Sequence, residues 1–250
     1  MKIIRCTRQN ETVYAELIGE KVYPIVGKPY EKIEKDGREW ALSEVKLLAP
    51  AEPTKIVAVG DNYLDHIKEM NDAIPEEPVI FLKPNSAILN PGETIIYPAR
   101  SSRVDYEAEL ALVIGKKCKN VEEKDADQYI FGYTALNDVT ARDLQPIDGQ
   151  WIRAKGFDTF APFGPCINTE VDPEHTPVQS FLNNEIRQDG NSETMMRGAR
   201  KILAFVSSVM TLEPGDIISL GTPKGVGPMQ KGDKIEIRVG GIGSLINYVG

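Results

Sequence analysis

The chain has 250 residues, 41% hydrophobic and 26% charged, enough for one large domain or a medium domain with a small appendage. Its formal net charge of -8, with no Lys/Arg-rich run, speaks against nucleic acid or an anionic membrane as partner, and no apolar stretch is long enough to span a bilayer. The N-terminus reads as a strand without a cleavable leader, and the scattered cysteines Cys6, Cys118 and Cys166 form neither a CxxC nor a zinc spacing, so reduced thiols in the cytoplasm are expected.

Short β-like runs open the chain at 2–6, 13–17 and 21–25, with Gly19-Glu20 turning between the last two. A proline-punctuated connector at 47–53 suggests a small N-terminal β-domain over 1–50 that packs on a main domain over 51–250. Residues 55–60 read as an apolar strand, and 62–70 as a helix with Asp61 or Asn62 as N-cap. Residues 77–83 form a strand stopped by Pro84, and 129–137 a further strand. Apolar positions from Met195 to Val209 predict a helix over 194–210. Pro214-Gly215-Asp216 then turns into a strand at 217–220, and 234–239 pairs with 244–249 as a hairpin. Many strands, few helices and no alternating βαβ units predict an α+β fold, mostly β, built on a folded-over sheet.

The most informative stretch runs from Asp105 to Gly115, where acids stand at the entrance of an apolar strand. Residues two apart in a strand share a face, so Glu107 and Glu109 project side by side. Such carboxylates repel unless a proton or a cation compensates. Alone, the pair reads better as a solvated strand end. A third acid, Asp138, closes the 129–137 strand and could join them. Three carboxylates suit Mg²⁺ or Mn²⁺, leaving about three coordination positions for water and substrate. One negative charge would remain, so an anionic substrate needs nearby cations. Lys83, Arg142, Lys155 and Lys224 are the candidates, although each alone reads as a surface residue. His66 precedes Glu69 by three residues, so the two can meet on a helix. A carboxylate on one imidazole nitrogen fixes the tautomer and leaves the other nitrogen as a base; the same spacing also describes an ordinary exposed pair. His175 falls in a loop-like stretch and is expected to be exposed.

Together these residues resemble the fumarylacetoacetate hydrolase superfamily, specifically its short bacterial and archaeal branch of acylpyruvate hydrolases, oxaloacetate decarboxylases and 2-hydroxyhepta-2,4-diene-1,7-dioate isomerases. The resemblance covers about residues 55–250. It rests on Gly60-Asp61-Asn62-Tyr63 with His66 and Glu69, Phe81-Leu82-Lys83-Pro84, Asp105-Tyr106-Glu107-Ala108-Glu109-Leu110, Asn137-Asp138-Val139-Thr140-Ala141-Arg142-Asp143, Lys155-Gly156-Phe157-Asp158, and Gly221-Thr222-Pro223-Lys224-Gly225-Val226-Gly227. Gly156 and Thr140 depart from the serines usual in the family.

The resemblance implies a mixed β-roll with a small N-terminal β-domain, usually as a homodimer. It implies Glu107, Glu109 and Asp138 as ligands of Mg²⁺ or Mn²⁺, with Ca²⁺ as a stand-in in crystals. His66 and Glu69 would form a dyad on a lid helix, with Glu69 activating water, and Lys155 would stabilise a developing enolate. Lys83, Arg142, Gln145 and Thr222 line up with substrate-contacting positions. The expected activity is metal-dependent hydrolysis of a C–C bond in a small 2,4-dioxo acid, with oxaloacetate decarboxylation as a related reaction. An isomerase or tautomerase on the same anionic 2-oxo acids is the alternative, and a non-catalytic metabolite-binding protein the third reading.

Overall fold

The computed structural model describes residues 1–147 and 149–250. The first strands are β1 Lys2–Arg8, β2 Glu11–Ile18, β3 Lys21–Ile25, β4 Trp40–Ala41 and β5 Lys46–Leu48. There follow β6 Ile56–Gly60, helix α1 Leu64–Met70, β7 Val79–Lys83, β8 Ile88–Leu89, β9 Thr94–Ile95, β10 Val104–Tyr106 and β11 Ala108–Ile114. Next come β12 Ile130–Asn137, β13 Thr140–Ala141, α2 Ile152–Lys155, β14 Ala161–Asn168, β15 Pro177–Leu182 and β16 Glu185–Asn191. Helix α3 Ala199–Val209 and strands β17 Ile217–Ser219, β18 Gly227–Met229, β19 Lys234–Val239 and β20 Gly243–Val249 complete the chain.

The fold is α+β and mostly β. A 12-stranded sheet runs β4-β3-β2-β1-β14-β12-β11-β17-β6-β7, with β5 on β1 and β8 on β14. Beside it stand a three-stranded sheet, β13-β10-β18, and a five-stranded sheet, β16-β15-β19-β20-β9. The N-terminal hairpins are continuous with the large sheet, because Lys2 and Ile3 pair with Asn168 and Ile167.

Strand β11 lies at the centre of the large sheet, between β12 and β17. All seven of its residues are buried, which explains its unbroken apolar run after Glu109. Its register pairs Ala108 with Asn137 and Ala111 with Ser219. The start of β11 therefore meets the end of β12 and the end of β17. Strand β6 runs parallel to β17, with Ala58 beside Ser219, so the segments after Gly60 and after Ser219 emerge at the same edge. The candidate site is built there.

Several local expectations are corrected. Tyr63, not Asp61 or Asn62, caps α1. Asn62 cannot do so because its side chain is spent on tertiary bonds: Nδ2 donates to Arg197 O at 3.0 Å and Leu220 O at 2.8 Å, and Oδ1 accepts from Arg197 N at 3.1 Å. The helix expected over 194–210 begins at Ala199, because Met195 instead bridges to Tyr63 in an antiparallel pair. Two hairpins escaped the sequence reading. They turn through Gln9-Asn10 and Asn183-Asn184, all with positive φ, a conformation that asparagine tolerates better than most residues. Among the described residues no helix is long and apolar enough to cross a membrane.

Candidate functional site

Glu107 sits at the joint between β10 and β11, where the chain passes from the small sheet to the large one. Its backbone N–H donates to Asn137 Oδ1 at 3.0 Å, and its carbonyl accepts from Asp138 N at 2.9 Å. Those bonds fix Glu107 against Asp138 across the ladder. Glu109 follows on the same face. The three acids are all buried, and their candidate ligand oxygens lie within 4.8 Å of one another. The solvated-strand-end reading is thereby excluded.

Three cations face this cluster. Lys155, from the last turn of α2, places Nζ 2.8 Å from Glu107 Oε2 and 2.7 Å from Asp138 Oδ2. Arg142 bonds Glu107 Oε1 through Nη2, Asp105 Oδ2 through Nε at 2.9 Å, and Gln145 Oε1 through Nη1 at 2.6 Å. Lys83, at the end of β7, bonds Asp138 Oδ1. The acids are electrostatically unequal. Burial opposes ionisation of Glu107, but the charges of Lys155 and Arg142 outweigh it and hold its carboxyl below the usual range. Burial also opposes the charge of Lys155, and Asp138 and Glu107 more than compensate, so its ammonium is stabilised. Burial pushes the Glu109 carboxyl well above the usual range, reinforced by the charges of Asp138 and Glu107. Among the described residues, Glu109 Oε2 accepts from neutral donors, Ser219 Oγ and Gly221 N (3.0 Å). A buried acid raised by its neighbours, in an all-oxygen donor set, fits a hard divalent cation such as Mg²⁺ or Mn²⁺.

The acids open onto a narrow cleft that is also lined by His66, Arg142, Gln145, Lys155 and Thr222. Glu69 lies behind His66. His66 Nδ1 is 3.1 Å from Glu69 Oε2, while both Glu69 oxygens accept from Gly225 N, at 2.9 and 3.1 Å. Glu69 thus ties α1 to the segment after β17 and turns away from the cleft. Lys83 does not line the cleft either: it is wholly buried and reaches the site only through Asp138. Thr222 lines it, but its hydroxyl is already engaged, donating to Ala108 O and accepting from Gln188 Nε2, both at 2.8 Å. Lys224 is exposed and lies outside the lining, and exposed His175 pairs with Asp172.

Sequence reasoning missed several contributors. Asp61, Met70, Asp72, Phe81 and Trp151 line the cleft. A side chain at Gly60 would collide with the Trp151 indole, so this glycine lets the aromatic wall close. Buried Gln188 accepts from Ala108 N at 2.9 Å and donates to Pro223 O at 2.7 Å, clamping β11 to the segment after β17. No local pattern announces that role. The departure at Gly156 has a steric cause: a Cβ there would stand 2.5 Å from Ile152 O and 3.1 Å from Pro84 Cδ. Thr140 keeps the hydroxyl function of a serine, donating to Asp138 O at 2.8 Å.

The family model described as fumarylacetoacetate (FAA) hydrolase C-terminal matches residues 55–250, and a second, Rv2993c-like N-terminal, matches residues 1–50. A solved structure of 2-hydroxyhepta-2,4-diene-1,7-dioate isomerase from Mycobacterium marinum is 42% identical, with TM-score 0.93, over 100% of this chain and 98% of that one. The human protein named oxaloacetate tautomerase FAHD2A, mitochondrial, is 41% identical over 83% of this chain and 70% of its own length. A structure named fumarylacetoacetate hydrolase from Exiguobacterium antarcticum is 37% identical, with TM-score 0.89, over 100% of this chain and 99% of that one.

Proposed function

Because the chain belongs to the fumarylacetoacetate hydrolase family, we propose that it enolises a small anionic 2-oxo acid at C3, as a divalent-ion-dependent isomerase or tautomerase with His66 as proton carrier. The orientation of the dyad carries this reading: His66 lines the cleft, whereas Glu69 is turned to Gly225 N. A residue held that way fixes the imidazole rather than activating water. The names of the human and M. marinum relatives point in the same direction.

In this reading Glu107, Glu109 and Asp138 hold Mg²⁺ or Mn²⁺. The ion would supply Lewis-acid polarisation of the 2-oxo group. With Nδ1–H donated to Glu69, His66 keeps the lone pair on Nε2, takes the proton from C3 and returns it to oxygen or to another carbon. Lys155 is preorganised beside the charge that develops on the 2-oxo oxygen. Arg142, steadied by Asp105 and Gln145, orients the carboxylate of the substrate. Thr222 and Lys83 act by holding β11 and Asp138 in place. Phe81 and Trp151, edge to face at 5.4 Å, give the cleft an apolar wall that limits water.

Hydrolysis of an acylpyruvate-type C–C bond, with oxaloacetate decarboxylation beside it, is the second reading. The His66–Glu69 contact would also suit a water-activating base, and the Exiguobacterium relative bears a hydrolase name. A homodimer is also proposed, because Leu82 and Ile152 expose apolar side chains along edge strand β7; sedimentation of the purified protein tests it. For the reaction, enol-to-keto conversion and C–C cleavage are to be followed on a panel of 2-oxo and 2,4-dioxo acids with Mg²⁺ and Mn²⁺. The proposal expects tautomerisation that is lost in Glu109→Ala. Cleavage without tautomerisation would replace it by the hydrolase reading.

A further inference from the structure

The segment around α1 brings more than His66 to the cleft. Asp61 lies just before the helix and Asp72 just after it, and both line the cleft beside His66 and Met70. Neither aspartate is placed by chance of a floppy loop. Asp61 has φ of +52° and is followed by Asn62, whose side chain is bolted to Arg197 and Leu220. Asp72 follows the left-handed cap Asn71, and its N–H donates to Ile67 O at 3.0 Å.

The cleft is polarised as a result. Its lining cations, Arg142 and Lys155, are both at the end where Glu107 and Asp138 stand. Among the described residues, no lysine or arginine lines the cleft beside Asp61 and Asp72. Burial holds the Asp61 carboxyl above the usual aspartate range, and the charges of Asp72 and Glu107 add to it while His66 and Lys155 oppose it. A substrate with its C1 carboxylate at Arg142 and its C3 at His66 must place its C4 substituent on the α1 side.

We propose that Asp61 and Asp72 determine specificity by repelling a carboxylate at C4, so that the substrates are 2-oxo acids whose C4 group is uncharged and polar, such as a ketone or an amide. This rests on the enolisation proposed above and narrows its substrate class. It separates acylpyruvate-like acids, which carry a neutral carbonyl at C4, from oxaloacetate, which carries a second anion there.

The test compares oxaloacetate with its isosteric 4-amide, 2-oxosuccinamate, as tautomerisation substrates with Mg²⁺. Wild type is expected to favour the amide in kcat/KM by about tenfold, the order expected for like charges meeting in a half-open cleft, and the preference should shrink as salt is raised. Asp61→Asn with Asp72→Asn should remove most of it, mainly by lowering KM for oxaloacetate; asparagine tolerates the left-handed backbone at position 61. Calorimetric dissociation constants for malate and its 4-amide, which have no 2-oxo group to react, should show the same preference and the same loss. Turnover of both substrates with no preference, or a preference unchanged in the double variant, would overturn the inference alone. No tautomerisation of either substrate would overturn the enolisation reading and this inference with it.

Discussion

His66 and Glu69 are in contact at 3.1 Å, yet only His66 lines the cleft. Glu69 accepts from Gly225 N with both oxygens, which leaves it poorly placed to take a proton from water. Glu69→Gln keeps one acceptor for Gly225 N but no longer fixes the imidazole tautomer. Enolisation is expected to fall by about 10- to 100-fold, the usual cost of losing a group that orients a functional histidine. The pH–rate profile should change with it. An unchanged rate would show that the contact is an ordinary helix pair.

Metal binding is expected to release a proton. Burial and the charges of Asp138 and Glu107 keep the Glu109 carboxyl raised, and a ligand must be deprotonated. Affinity for Mg²⁺ should therefore rise with pH until Glu109 is ionised. Calorimetry in two buffers of different ionisation enthalpy measures the protons released. Binding enthalpies independent of buffer would contradict this account of Glu109.

Asn62→Ala is expected to destabilise the protein. It strands the Arg197 amide and the Arg197 and Leu220 carbonyls in a buried setting. An unsatisfied buried group costs about 1–3 kcal/mol, so Tm should fall by several degrees. Because Asn62 ties the segment before α1 to the chain after β17, kcat/KM should fall as well.

Gly156→Ser restores the residue usual in the family and is nevertheless expected to be harmful here. The added Cβ meets Ile152 O at 2.5 Å, within the short helix that carries Lys155. The strain is of the overpacking kind, about 1–3 kcal/mol, and it displaces the Lys155 ammonium. Loss of stability together with kcat is the expected outcome of melting and rate measurements. A variant as stable and active as wild type would show that α2 adjusts freely.

Much of the site was legible because chemistry demands it locally. Glu107, Glu109 and Asp138 stand out as acids against apolar strands, and the spacing of His66 and Glu69 places them on one helix face. The N-terminal strands and the tail hairpin were legible from alternation and turn residues. The rest depends on pairing that no local window contains. Glu107 lies at a joint between two sheets rather than inside one strand, which only the register of β10 and β11 shows. Lys83 looked like a substrate contact until the fold buried it behind Asp138. Gln188 and Ser219 support Ala108 and Glu109 from residues far away in sequence. The apolar periodicity from 194 overstates helix α3, because Met195 is drawn into a bridge with Tyr63.

Solvent deuterium incorporation at C3 of a 2-oxo acid, followed by proton NMR with saturating Mg²⁺, tests the central claim most directly. Wild type should exchange the C3 protons, and His66→Asn should slow this by about 10²–10⁴-fold, the range of general acid–base assistance. Exchange at the same rate in both proteins would contradict the assignment of His66 as proton carrier.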